Sequence, residues 1–129
     1  PVLARLMRRD VFIERLQAAC CHQLPDESVS DMWALLRYND GHLRMPQLIG
    51  YMAERLQQRA RWVGALQHSR CPIRVVAGAD DPISGAHMIA RYRELIAQPD
   101  AFVLPKLGHY PQVERPEQVW AVISSFLIG

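Results

Sequence analysis

Ile73-Arg74-Val75-Val76-Ala77-Gly78-Ala79-Asp80-Asp81-Pro82 decides the fold of this chain. A β-branched run bounded by Pro72 and Gly78 reads as a short buried strand, and the acidic turn after it places charge at the strand's carboxyl end. Downstream, Met88, Ile89, Tyr92, Leu95 and Ile96 recur at helical spacing until Gln98-Pro99-Asp100, where proline forbids continuation. Ala101-Phe102-Val103-Leu104 reads as a second strand, and it too is followed by a polar loop, Gly108-His109-Tyr110-Pro111. Val119, Val122, Ile123, Phe126 and Leu127 then mark a final helix opened by Pro116-Glu117. Strand, helix, strand, helix is the order of an α/β unit with two parallel strands and a right-handed crossover.

Upstream of Ser69-Arg70-Cys71-Pro72 the period is helical. Leu3, Leu6 and Met7 suggest a first short helix, and Phe12, Ile13, Leu16 and Cys20 a second. Pro25-Asp26-Glu27 opens a third, with Asp26 or Ser28 as its cap and Met32, Trp33, Leu35 and Leu36 as its apolar face. Asn39-Asp40-Gly41 closes it with residues that tolerate left-handed backbone angles. Met45, Leu48, Ile49, Met52 and Leu56 line one side of a further helix, opposite Gln47, Glu54 and Arg55. The expected organisation is a helical segment over 1-70 and a strand-helix-strand-helix segment over 71-129.

Two parallel strands leave an open sheet face and an unpaired edge that the remaining helices cannot cover. The chain therefore reads as an incomplete domain, completed by an upstream segment or by a complementary chain, with a homodimer also admitted. Its opening residues carry no leader pattern and its apolar runs are too short to span a membrane. Of the 129 residues, 15 are basic and 13 acidic, a balance that predicts no extended footprint for nucleic acid or anionic lipid. The clusters Arg5/Arg8/Arg9 and Arg55/Arg59/Arg61 read as solvated helix faces. Cys20, Cys21 and Cys71 form neither an even disulfide framework nor a metal spacing, so a reducing, cytoplasmic setting is expected, without metal or cofactor.

The chemistry lies in the two loops. Asp81 stands four residues past the first strand, and His109 five past the second. If those strands are neighbours, roughly 4.8 Å apart, both side chains meet beyond one sheet edge. An aspartate accepting from one ring nitrogen fixes the histidine tautomer and leaves the other nitrogen as a general base. Asp80 is a rival acid. No segment offers a nucleophile on a strand-to-helix elbow, and Ser84, in Pro82-Ile83-Ser84-Gly85, lacks the flanking glycines and preceding strand that such an elbow requires.

Gly78-x-x-Asp81-Pro82, then Gly108-His109, then Glu114-Arg115-Pro116 resembles the C-terminal part of the α/β-hydrolase fold. Asn39-Asp40-Gly41, Tyr51, Glu54-Arg55, Arg61-Trp62-Val63-Gly64-Ala65-Leu66 and Gly108-His109-Tyr110-Pro111-Gln112-Val113-Glu114 resemble, more narrowly, the mesoderm-specific-transcript branch near the haloalkane dehalogenases and epoxide hydrolases. The resemblance implies that Asp81 is the triad acid, His109 the base, and residues 1 to about 66 the end of a helical cap over the pocket. It further implies a small-molecule substrate, a covalent ester intermediate and an upstream nucleophile, Asp in that branch or Ser in a carboxylesterase. Trp33, Tyr38 and Tyr51 are candidates for lining the substrate pocket, and these three and Trp62 are candidates for a ring-opening acid or leaving-group donor, with nothing in the sequence selecting among them.

Each residue also has a plainer reading. Tyr38 and Tyr51 fit packing, Trp62 and Trp120 core anchors, and His22, His42, His68 and His87 surface or cap positions. Glu114 fits a stabiliser of its turn or of the last helix. The rival function is a non-catalytic helical interaction protein whose two loops survive only as structural turns.

Overall fold

The structure, a computed structural model, describes residues 8–128. The expected helix at Leu3, Leu6 and Met7 lies outside the described residues. Helices α1 (Arg9–Ala18) and α2 (Asp26–Arg37) pack on each other, and a 3-10 segment, Tyr38–Arg44, turns the chain into α3 (Met45–Leu48), α4 (Tyr51–Gln57) and α5 (Arg59–Gln67). Then follow β1 (Arg74–Gly78), α6 (Ala86–Leu95), β2 (Asp100–Leu104), the single turn α7 (Pro111–Glu114) and α8 (Pro116–Ile128). The result is a mixed, mainly helical architecture around a two-stranded parallel sheet, compatible with part of an α/β fold.

The strands pair in register from Arg74 opposite Asp100 to Gly78 opposite Leu104. Helix α6 packs against both strands and α8 against β1. Ile89, Leu107, Ala77 and Val119 are buried there. Each such aliphatic side chain, removed from water, contributes about 1.5–3 kcal/mol before entropy is counted. Arg74 ties the start of β1 to α8. Its guanidinium bonds Asp100 at 2.9 Å, the Val122 carbonyl at 2.9 Å and the Ser125 hydroxyl at 2.8 Å, between the rings of Phe102 and Phe126.

A second cluster, Leu16, Leu24 and Val29, fills the space between α1 and α2. Tyr110 and Val113 pack onto it from the far end of the chain. The helical segment is thereby joined to the loop that carries His109.

Several expectations are corrected. The row Met45 to Leu56 is not one helix. Three i→i+3 hydrogen bonds, accepted by Gln47, Ile49 and Gly50, interrupt it, and Gly50, a poor helix former, sits at the break. Neither Asp26 nor Ser28 caps α2: Pro25 holds the cap position without a side-chain bond, and Asp26 and Glu27 instead place charge in the first turn. Trp120 is 63% exposed, because it follows Val119 by one residue and so turns away from the side of α8 that meets β1. Trp62 is also partly open to solvent. His42, expected at a surface or cap position, lies in the helical segment but is buried, with its Nε2 2.8 Å from the Arg37 guanidinium. Asn39 and Asp40 do take the left-handed angles expected of them, φ 47° and 56°.

Candidate active site

The two loops after the strands are drawn together by backbone hydrogen bonds. Ala79 N donates to the Leu104 carbonyl at 2.8 Å, and Asp80 N to the Leu107 carbonyl at 3.0 Å. Gly78 allows that approach, since a Cβ there would lie 2.3 Å from the carbonyl oxygens of Leu107 and Gly108. The first loop then turns Asp81 inward, leaving it 7% exposed, while Asp80 stays in solvent.

Each Asp81 oxygen has a defined partner. Oδ1 accepts the Ile83 backbone N–H at 2.7 Å, and Oδ2 accepts the Ser84 hydroxyl at 2.9 Å. Oδ2 also lies 2.9 Å from Nδ1 of His109. Burial alone raises the pKa of this carboxyl, but the hydrogen bonds from His109, Ile83 and Ser84 outweigh burial and lower it to about 2. An ionised carboxylate can only accept, so Nδ1 is the donor of this pair, and in the neutral form of the ring the lone pair falls on Nε2. Among the described residues Nε2 makes no hydrogen bond, and the imidazole keeps 29% of its surface open. The Tyr110 ring meets the imidazole edge-on at 4.9 Å and restrains its tilt.

Two further contacts hold the histidine loop from the opposite side. His109 N donates to the Ala19 carbonyl at 2.8 Å. Glu114, only 4% exposed, accepts Gly108 N on Oε1 at 2.9 Å, and Cys21 N and His22 N on Oε2 at 2.8 and 3.0 Å. One carboxylate thus fastens the turn after α1 to the loop after β2. Gly108 is required at this junction, because a Cβ would come within 2.5 Å of the Ala19 carbonyl and 2.7 Å of Cys20 Cα, both backbone atoms.

The consequence for Glu114 is measurable. Glutamine can accept at one oxygen only and turns an N–H₂ toward backbone donors, so Glu114→Gln is expected to cost about 3 kcal/mol in urea unfolding. A change under about 0.5 kcal/mol would show that the three bonds carry little.

Other nucleophilic side chains nearby are quiescent. Burial first, then the charge of Glu114 and the neighbouring thiol, pushes Cys20 up to about 11, and its Sγ donates to the Leu16 carbonyl. Cys21 is raised as well, by burial and then by Asp80, Glu114 and Asp81. Both remain thiols near neutral pH, the form that does not attack. The Ser84 hydroxyl is engaged by Asp81. No group of three His, Cys, Asp or Glu side chains among the described residues stands ready to hold a metal ion.

The candidate pocket aromatics have contacts of their own. Trp33 packs on Phe12 at 5.4 Å and beneath Arg37, Tyr51 lies under Arg55, and Tyr38 is largely in solvent. None of the three hydrogen-bonds Asp81 or His109 among the described residues. Sequence reasoning missed Ser84 as a donor to Asp81 and Tyr110 as a wall for His109. It gave Glu114 a role only in its own turn or the last helix, because two of the donors it serves lie 92 and 93 positions away.

The fold thus sets a buried aspartate beyond one parallel strand and a hydrogen-bonded histidine beyond its neighbour. The chain is similar to "Putative hydrolase LipZ" of Mycobacterium tuberculosis, 37% identical over 131 aligned residues, which cover 99% of this chain and 45% of that protein. It is also similar to the mouse mesoderm-specific transcript protein, 38% identical over 120 residues, covering 90% of this chain and 36% of that protein. The human homologue matches at 37% over the same length. The chain thus spans less than half the length of these curated relatives. No protein-family profile and no solved structure matches it. These relatives support a hydrolase-like family and a hydrolase-type function in general terms. Among the described residues no helix is long and apolar enough to cross a membrane.

Proposed function

We propose that this chain carries the acid and base of an α/β-fold hydrolase that cleaves a small organic substrate through a covalent ester. The 2.9 Å contact between Asp81 Oδ2 and His109 Nδ1, each group at the carboxyl end of a neighbouring parallel strand, carries the reading. In this scheme Asp81 is the acid of a triad, His109 its base, and the nucleophile comes from outside residues 1–129. The groove of about 460 Å³ beside Arg74, Val76, Ile123, Phe126 and Leu127 is a suitable place for further sheet to pack. Residues 1 to about 66 would then serve as part of the cap over the substrate.

The chemistry has two steps. The nucleophile attacks a carbon electrophile, expelling the leaving group and forming an ester with the protein. Water then attacks the ester carbonyl while Nε2 of His109 takes its proton, and the tetrahedral intermediate collapses as the imidazolium returns that proton to the departing oxygen, freeing product and nucleophile. Asp81 orients the imidazole and stabilises its charged form. An aspartate nucleophile, as in the epoxide hydrolase and haloalkane dehalogenase branch, needs no base in the first step. A serine, as in carboxylesterases, needs His109 in both.

The reading is tested by quenching the complete protein during turnover of a chromogenic ester, an epoxide or a haloalkane and weighing it intact. A mass increase equal to the bound acyl or alkyl group is expected with one of the three. Turnover with no covalent species at any quench time would sink the ester mechanism.

A further inference from the structure

The near-even balance of the whole chain hides a local excess of positive charge on and beside α3 to α5, in the segment assigned above to the cap. Between Arg44 and Arg70 the sequence holds five arginines, Arg44, Arg55, Arg59, Arg61 and Arg70, against one acid, Glu54, a net +4 in a chain whose total is +2. None of the five makes an ion pair among the described residues; the ion pairs recorded there involve Arg8, Arg74, Arg91 and His109. The same short helices expose large apolar side chains. Leu48 is 63% exposed, Ile49 62%, Met52 50% and Leu56 80%. Between α4 and α5 an open cleft of about 660 Å³ is walled by Met52, Leu56, Trp62 and Val63, with Arg55 and Arg59 beside it.

We propose that α3 to α5 form a docking face for an anionic lipid surface. An apolar row alone fits a protein partner or a membrane equally well. Here Arg55, Arg59 and Arg61 lie on the same helices, flanked by Arg44 and Arg70, and none has an ion-pair partner among the described residues, so a fitting partner offers apolar depth and a plane of negative charge within one helix diameter. A bilayer of anionic lipid supplies both, the apolar side chains entering about 5–10 Å while the arginines stay at the phosphates. Trp62, partly buried at the cleft, suits the headgroup level. The helices are too short to span, so the association is peripheral and weakened by salt. This inference does not depend on the hydrolase mechanism.

The complete protein is sedimented with vesicles of phosphatidylcholine alone and with vesicles that also contain phosphatidylglycerol. Binding is expected to the second kind only, at low salt. Arg55→Gln with Arg59→Gln should lower the partition coefficient by about 30-fold, from the usual gain per basic side chain at an anionic surface. Leu56→Asp should reduce it as well while leaving Tm unchanged. Three results would overturn the proposal: no binding to anionic vesicles, equal binding to both kinds, or binding unaltered by the arginine pair. A fall of several degrees in Tm for Leu56→Asp would do the same, since it would show this face packed against protein instead.

Discussion

His109→Ala in the complete protein is expected to lower kcat by about 10⁴-fold or more with little change in thermal stability. The imidazole is partly exposed and lies edge-on to Tyr110, so its removal opens no deep cavity. The backbone bond from His109 N to Ala19, and those that Glu114 makes to Gly108, Cys21 and His22, remain in the alanine variant. The loss falls on proton transfer, for which no other side chain is hydrogen-bonded to Asp81 in the same way. The variant also discriminates between nucleophiles. With an aspartate nucleophile the first step proceeds without a base, so the variant accumulates the covalent ester and its intact mass rises. With a serine nucleophile neither step proceeds and the mass stays that of the free protein. Turnover near that of the unmodified protein would overturn the assignment of His109 as base.

Asp81→Asn is expected to have a comparable effect on kcat, about 10⁴-fold, by a different route. Asparagine keeps the shape of the site but loses the charge, and its N–H₂ favours the tautomer with a lone pair on Nδ1 and the proton on Nε2, the wrong nitrogen for a base. Asp80→Asn is the control. That side chain stands in solvent, and its replacement should leave turnover essentially unchanged. Equal losses in both variants would show that the acid had been misassigned.

Asp81 also links stability to pH. Its carboxyl is held at about 2 in the folded protein, against 3.8 for the ordinary group. A depressed acid contributes stability that is fully present above the ordinary value and disappears as pH falls through the folded one. The contribution is about 2 kcal/mol at pH 7, and it should be lost between about pH 4 and pH 2. Urea unfolding across that range should show a steeper acid limb in the unmodified protein than in Asp81→Asn. Parallel curves would mean that the hydrogen bonds to Asp81 do not survive in solution.

The strands and the helix between them were legible because each obeys a local rule. Val75, Val76 and Ala77 form a short run stopped by glycine, and Pro99 ends the helix that precedes β2. Asn39 and Asp40 were legible for the same reason, since their short polar side chains tolerate positive φ. The row from Met45 to Leu56 misled because helical spacing carries no record of what lies opposite. It reads the same whether its face is packed, as at Leu16, or open, as at Leu56. Trp62 and Trp120 misled likewise, since size argues for burial on average but not on a given side of a given helix.

By itself the sequence determined that an acid and a histidine follow two apolar runs, each within five residues of a strand end. Such spacing is a property of neighbouring residues and needs no knowledge of the rest of the chain. The Gly78-x-x-Asp81 resemblance already favoured Asp81 over Asp80, but only the tertiary structure showed that its carboxylate meets the imidazole, that Ser84 shares the same oxygen, and that Glu114 fastens Cys21 and His22 to Gly108. Those are distances between segments separated by up to 93 residues, created when the chain packs and the glycines at 78 and 108 let backbones touch. Local pattern can name the groups that carry chemistry, but which of two adjacent carboxylates turns inward is settled by the closure of one loop on another.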